Sequence, residues 1–176
     1  MRGNHGYTLL ELIATLLVAS LLMTLGLPSL TATVRENCVA TGANALLAEL
    51  VEARAAAIGC NCSVAICKSA DGTSCSRGAT GSWSQNLLTF IDSDHNGTLG
   101  SSERVLAVTP PMSCSSLSSN KYLNYVSYNS EGIVNSNGSF FVVANGGIDV
   151  SRTVALFSGR VRVCNSHTQK NCSAPS

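Results

Sequence analysis

Three places in this sequence hold side chains whose types and spacing suit chemistry. The first is Asp92-x-Asp94-x-Asn96-Gly97-Thr98, closed by Glu103. It fits the twelve-residue formula of an EF-hand calcium loop, with side-chain oxygens at positions 1, 3, 5 and 12, glycine at 6 and the Thr98 carbonyl at 7. Alternating short acids gather hard oxygens around one point, which is what Ca2+ needs. No cofactor is demanded by the sequence, and calcium is the one it suggests. Against calcium, the flanks read as strands and Gly100 leaves position 9 without a side-chain ligand. The competing reading is a polar hairpin whose Asn96-Gly97 pair supplies the turn.

The second place is Gly159-Arg160-Val161-Arg162. Residues two apart on a strand share a face, so Arg160 and Arg162 set two guanidinium forks side by side, a geometry suited to phosphate oxygens. Residues 151–176 add Arg152 and Lys170 and contain no acid, a local charge of +4, whereas the first 150 residues hold seven basic and ten acidic side chains. The competing reading is an edge strand blunted by charge against pairing with another sheet. The third place is Glu11, a lone carboxylate at the start of the only long apolar run, residues 9–27. A charge there is costly and by default functional.

Other chemistry is absent. His5, His95 and His167 lie in the leader, a turn and the tail, apart from any cysteine or serine motif, and no G-x-S-x-G, P-loop or H-E-x-x-H motif occurs. An enzyme is not expected. A net charge of +1 with 12% charged residues argues against disorder and against a surface wholly devoted to nucleic acid.

The elements that position these groups follow from periodicity. Nineteen residues of apolar run span about 28 Å as a helix, close to a bilayer's hydrocarbon core. Pro28 should kink or interrupt that helix, and a second helical stretch should reach Ile58. Its apolar stripe is read as Leu47, Val51, Ala55 and Ile58, with Leu46 and Leu50 beside it, facing a sheet, while Glu49, Glu52 and Arg54 fall largely off it. Short β-like runs follow at Cys62–Cys67, Leu87–Asp92, Arg104–Val108, Tyr122–Tyr128, Ser139–Ala144, Thr153–Phe157 and Gly159–Cys164, punctuated by Asn-Gly, Asp-Gly and Gly-Gly turns. Eight cysteines without zinc-site spacing point to disulfides formed outside the cytosol. The local pairs Cys67–Cys75 and Cys164–Cys172 are expected, and the pairing of Cys38, Cys60, Cys62 and Cys114 stays open. The fold class is α+β, a long N-terminal helix packed on antiparallel sheet.

The N-terminus, Met1 to Gly6 followed by Tyr7-Thr8-Leu9-Leu10-Glu11, resembles the type IV prepilin signature. The resemblance implies cleavage by prepilin peptidase between Gly6 and Tyr7, methylation of the new N-terminus, and pairing of Glu11 with a neighbouring subunit's terminal amine during assembly. Tyr7 stands where Phe is commoner in that family, and keeps the ring. Further along, Trp83, Thr89-Phe90-Ile91-Asp92, Glu103-Arg104-Val105-Leu106, the Val126–Gly132 string, Ser139-Phe140-Phe141-Val142-Val143 and the ending Thr153–Cys164 are similar to the FimT/GspH family of minor pilins and pseudopilins. The implied organisation is a leader at 1–6, a helix at 7–58 whose 7–28 part is the membrane and assembly segment, and a β-rich pilin domain at 59–176. The implied location is the inner membrane, single-pass with the domain in the periplasm, and then the extracellular pilus. FimT-like minor pilins that bind DNA in natural transformation carry a similar GRxR element. That resemblance implies double-stranded DNA as a partner, with Gly159, Arg160 and Arg162 as its motif. Arg152 and Lys170 join the DNA-binding set on local charge alone. Other pilins, prepilin peptidase and the inner membrane are the remaining implied partners. A structural pseudopilin of type II secretion, or a subunit that primes pilus assembly, is the alternative function.

Overall fold

Thr8 starts the structure's first element. Its hydroxyl accepts the Glu11 N–H at 3.3 Å, the Thr-x-x-Glu arrangement that caps a helix N-terminus, and Glu11 lies in the first turn, where a carboxylate complements the helix dipole. The computed structural model describes residues 7–78, 82–145 and 150–165, with the side chains of 24–29 and 165 outside that description. Helix α1 runs Leu9–Cys60, followed by strands β1 (Val64–Ser69), β2 (Asn86–Ile91), β3 (Val105–Thr109), β4 (Ser115–Ser119), β5 (Tyr125–Tyr128), β6 (Gly138–Ala144), β7 (Ser151–Phe157) and β8 (Arg160–Asn165). The backbone is helical through Pro28. The expected interruption is therefore absent, because a proline removes one helical hydrogen bond and many others remain to hold a helix this long.

The chain divides into two compact units, Met1–Arg35 and Glu36–Ser176. In the first, Leu9, Leu10, Leu16, Leu17, Leu21 and Met23 are all exposed. A helix apolar all round suits burial in lipid or among other helices. Among the described residues no helix is long and apolar enough to cross a membrane, and the sequence's apolar run continues into the undescribed side chains.

In the second unit, Val39, Ala43, Leu46, Leu50, Ala53 and Ala57 are buried. Their spacing of four, three, four, three and four is that of one helix face. This corrects the expected stripe, since Val51 is 51% and Ile58 50% exposed, Ala55 is exposed and Leu47 half-buried. The inner face is set by small residues that allow close approach to the sheets, and the larger apolar side chains next to them turn outward. Glu49, expected off the stripe, is buried, and the Thr89 and Thr109 hydroxyls donate to its two oxygens. A buried carboxylate is tolerable only when its acceptors are satisfied in this way.

Two antiparallel four-stranded sheets complete the unit, in the orders β3-β2-β1-β5 and β4-β6-β7-β8. The main core joins the helix face to Ile66, Val126, Tyr128, Phe140, Val142, Val154 and Leu156. Inside it, Phe140 meets Trp83 edge-on at 4.9 Å and Tyr122 stacked at 5.1 Å, and the Trp83 indole N–H donates to the Tyr122 carbonyl at 2.8 Å. A smaller cluster of Ala65, Cys67, Leu88 and Phe90, with Cys75, Leu99 and Tyr125 against it, supports the loops beyond the first sheet. Seven strands fall within a few residues of expectation. β4 was not expected, and Tyr122, expected in a strand, precedes β5.

The disulfides are Cys67–Cys75, as expected, and Cys38–Cys114 and Cys60–Cys62 from the open set. Cys164 is also disulfide-bonded, and Cys172, its expected partner, lies outside the described residues. Cys38–Cys114 spans 76 residues and ties α1 to the segment before β4. By chain entropy a loop of that length is worth about 4.5 kcal/mol, an upper figure for engineered or removed bridges. The Cys38→Ser/Cys114→Ser variant should therefore lose about 3–4 kcal/mol in denaturant titration. A loss within experimental error would show that the bridge does not constrain the unfolded chain.

Candidate nucleic-acid interface and acidic loop

Strands β7 and β8 form a hairpin closed by Ser158-Gly159, with φ of 47° and 83°. Positive φ at both central residues is the sign pattern of a type I′ turn, whose twist matches that of the strands. The Ser158 N–H donates to Asn137 Oδ1 at 2.9 Å. A Cβ on Gly159 would stand 1.9 Å from the Gly132 carbonyl oxygen, so only glycine fits. Gly159 is buried and contributes placement of the next residues, without a side chain of its own.

Beyond the turn, Phe157 pairs with Arg160, Leu156 with Val161, Ala155 with Arg162 and Val154 with Val163. Val161 and Val163 pack against the core, while Arg160 and Arg162 are exposed, so both guanidiniums leave from the outer face as the two-residue spacing requires. β8 is the edge strand of its sheet, and none of that sheet's four strands contains an acidic residue. Arg152 is not brought to them. It shares the parity of buried Val154 and Leu156, so it leaves from the opposite face of the sheet. Lys170 lies outside the described residues. Phe157 and Phe141 share the outer face with the arginines, which the sequence reading missed. The Phe140-Phe141 pair is a usable signal, since alternation permits only one of the two to be buried.

The acidic loop leaves β2 and enters β3, flanked by strands as expected. Oxygens of Asp92, Asp94 and Glu103 lie within 4.8 Å of one another. Asp92 is buried, and its two oxygens each accept at 3.1 Å, from the N–H groups of Asn96 and Gly97. Gly97 takes φ of +67° over the Tyr125 ring, where a Cβ would stand 2.2 Å from a ring carbon. Glu103 accepts from the Ser93 N–H at 2.7 Å and the Gly100 N–H at 2.8 Å. The Asn96 side chain is turned to other work, and the Thr98 side chain, as distinct from the carbonyl expected at position 7, is engaged as well. The Asn96 amide donates to Asp94 at 2.5 Å and its oxygen accepts the Thr98 N–H at 2.6 Å, and the Thr98 hydroxyl accepts from Arg77. The donor set of three carboxylates fits a hard cation such as calcium. Burial pushes the Asp92 carboxyl above its ordinary range, and the Glu103 charge adds to the rise.

A group raised in this way stabilises the fold fully below the ordinary aspartate range and loses that contribution as pH rises through its raised value. Calcium requires the ionised form, so its stabilisation should grow over the same window. At a free concentration tenfold above its Kd it adds about 1.4 kcal/mol. The melting temperature should rise with millimolar calcium near neutrality, rise less on acidification, and not respond in Asp92→Ala. An unresponsive parent protein would leave the segment a polar hairpin.

At the N-terminus, Tyr7 is exposed ahead of α1, Glu11 is also exposed, and Gly6 lies outside the described residues. The profile of the prokaryotic N-terminal methylation motif matches residues 1–27, and that of the family described as Type II transport protein GspH matches residues 42–169. No curated protein sequence matches. Crystal structures of the type IV minor pilin FimU from Pseudomonas aeruginosa share the fold. One gives a TM-score of 0.58 at 18% identity over 78% of this chain and 96% of FimU, and a second crystal form gives 0.55 at 18% over 76% and 98%. Such subunits are structural, not enzymatic. With its long helix on antiparallel sheets, its methylation motif and a family match over most of its length, this chain belongs to the GspH family of type IV minor pilins and pseudopilins.

Proposed function

We propose that this chain is a minor pilin that binds extracellular DNA without sequence preference for uptake in natural transformation. The observation that carries the reading is the pair of exposed arginines, Arg160 and Arg162, side by side on a sheet without acids. Paired guanidiniums engage phosphate oxygens, which repeat along any DNA. With Arg152 on the other face, about two phosphate contacts per subunit are expected, which makes one subunit a weak ligand and several together a useful one. Before assembly the chain is held in the inner membrane by its N-terminal segment, with the domain in the periplasm. Prepilin peptidase cuts after Gly6, and Glu11 pairs with the terminal amine of a neighbouring pilin, since two charges in an apolar filament core are tolerable when they neutralise each other. The second reading, a structural pseudopilin of type II secretion or a priming subunit, is supported by the description of the matched family.

Binding of duplex DNA measured against salt separates the two. The parent should give a slope of about −2 in log K against log salt, at 0.9 per contact. Arg160→Ala and Arg162→Ala should each weaken binding to all sequences alike and flatten the slope by about one unit. They should leave the fold within about 0.5 kcal/mol of the parent. A well-folded double variant that binds as tightly as the parent makes the structural subunit the better account. Processing has its own check. Mass spectrometry of the mature protein should find methylated Tyr7 at the N-terminus, and Glu11→Ala should be cleaved normally but enter filaments poorly.

A further inference from the structure

The outer face of the β4-β6-β7-β8 sheet carries two phenylalanines that the core does not use. Phe157 is 36% and Phe141 37% exposed. The register fixes where they stand. Phe157 lies directly opposite Arg160 on the neighbouring strand. The next row holds Ser139, Ala155 and Arg162, and the row after it Ser118, Phe141, Thr153 and the buried, disulfide-bonded Cys164, where the arginine margin ends. The two rings are thus two rows apart, about 13 Å along the strands, with only serine and alanine between them. The result is a shallow platform with an aromatic ring at each end, arginines along one margin and hydroxyls along the other.

We infer that this face takes single-stranded DNA in preference to duplex, with bases stacked on Phe157 and Phe141 and phosphates held by Arg160 and Arg162, a refinement that rests on the DNA-binding reading above. A duplex keeps its bases stacked on one another and offers this face only phosphate and sugar. Two exposed rings gain nothing from that surface and lose water against it. An unpaired strand offers a π-face at every nucleotide, and stacking on an aromatic side chain is indifferent to which base is present. The small residues between the rings leave room for the sugar-phosphate chain to lie on the sheet. Arg162, in the row between the rings, is placed for the intervening phosphate. The absence of acids on this sheet removes repulsion along the whole path. Unpaired ends and gaps in extracellular DNA are the substrate that such a platform selects.

The test uses the full-length chain in mild detergent, with a short oligothymidylate, a hairpin duplex of equal nucleotide count, and an oligonucleotide carrying one 2-aminopurine. The parent should bind oligothymidylate at least tenfold more tightly than duplex, and 2-aminopurine fluorescence should change on binding as the base restacks. Phe157→Leu and Phe141→Leu should each cost about fivefold or more in single-strand affinity, abolish or reduce the fluorescence change, and leave duplex affinity as it was. Phe157→Tyr keeps the ring and should retain the preference, which guards against loss through misfolding. Arg160→Ala should weaken both ligands. Equal parental affinity for the two ligands overturns the inference while leaving phosphate binding in place, as does a Phe157→Leu/Phe141→Leu variant with parental melting temperature and undiminished oligothymidylate binding. A parent that binds neither ligand overturns the DNA-binding reading itself.

Discussion

One face of α1 serves two sheets at once. The sheets share no strand, yet Val39, Ala43, Leu46, Leu50, Ala53 and Ala57 of the helix lie in a single core with residues of both, Ile66 and Val126 from one, Phe140, Val142, Val154 and Leu156 from the other. Without that face each sheet would expose an apolar surface to water. The demand accounts for the alanines, because a helix can approach strands closely only where its side chains are short. It also accounts for how a glutamate can sit among them, since Thr89 and Thr109, on adjacent strands of one sheet, both donate to Glu49. Cys38–Cys114 fastens the same helix covalently to the approach to β4. The helix is thus the shared wall on which the rest is built.

Open sheets leave edges, and here the edges are β3, β5, β4 and β8. Unpaired edges invite pairing with other chains and have to be blunted. β3 is short, sits beside a register irregularity at Thr89 and Phe90, and runs into Pro110-Pro111. β4 is mostly serine. β8 carries Arg160 and Arg162. The arginines thus stand where charge would blunt an edge, and that position is compatible with a binding role. What edge protection leaves unexplained is the lack of any acid in all four strands of that sheet. Mixed charges would protect an edge equally well, whereas a uniform sign favours an anionic partner.

The legibility of the fold in the sequence follows this division. Seven of the eight strands are readable as short β-like runs bounded by turn residues. Alternation is clear in β5, β6 and β7, whereas β1 and the middle of β2 are buried on both faces. β4 is not readable, because Ser115–Ser119 has one apolar residue, Leu117, and its place is set by pairing with β6. The helix face is misread by following the largest apolar side chains, Val51 and Ile58, when close packing selects alanine. Glu49 cannot be recognised as buried, since its partners come from residues 40 and 60 positions away. The arginine pair is legible because its geometry is local, two residues on one strand. Arg152 is misassigned for the converse reason. Charge in the sequence says nothing about parity in a sheet, and the register with Val154 and Leu156 sends it to the other face.

Energetics decide what such a surface can do. Two phosphate contacts give an affinity that physiological salt largely erodes, and several subunits acting together recover only part of what is lost. A non-electrostatic contribution is needed for capture to survive at high ionic strength, and base stacking is the kind least sensitive to salt. Phe157 and Phe141 are the only large apolar side chains exposed in the sheet that holds the arginines. The rings, with two side-chain torsions each on a paired backbone, lose little freedom on binding, whereas each exposed arginine gives up more. In the binding proposed above, the charges would govern encounter and the rings residence, a division of labour that neither set of side chains could manage alone.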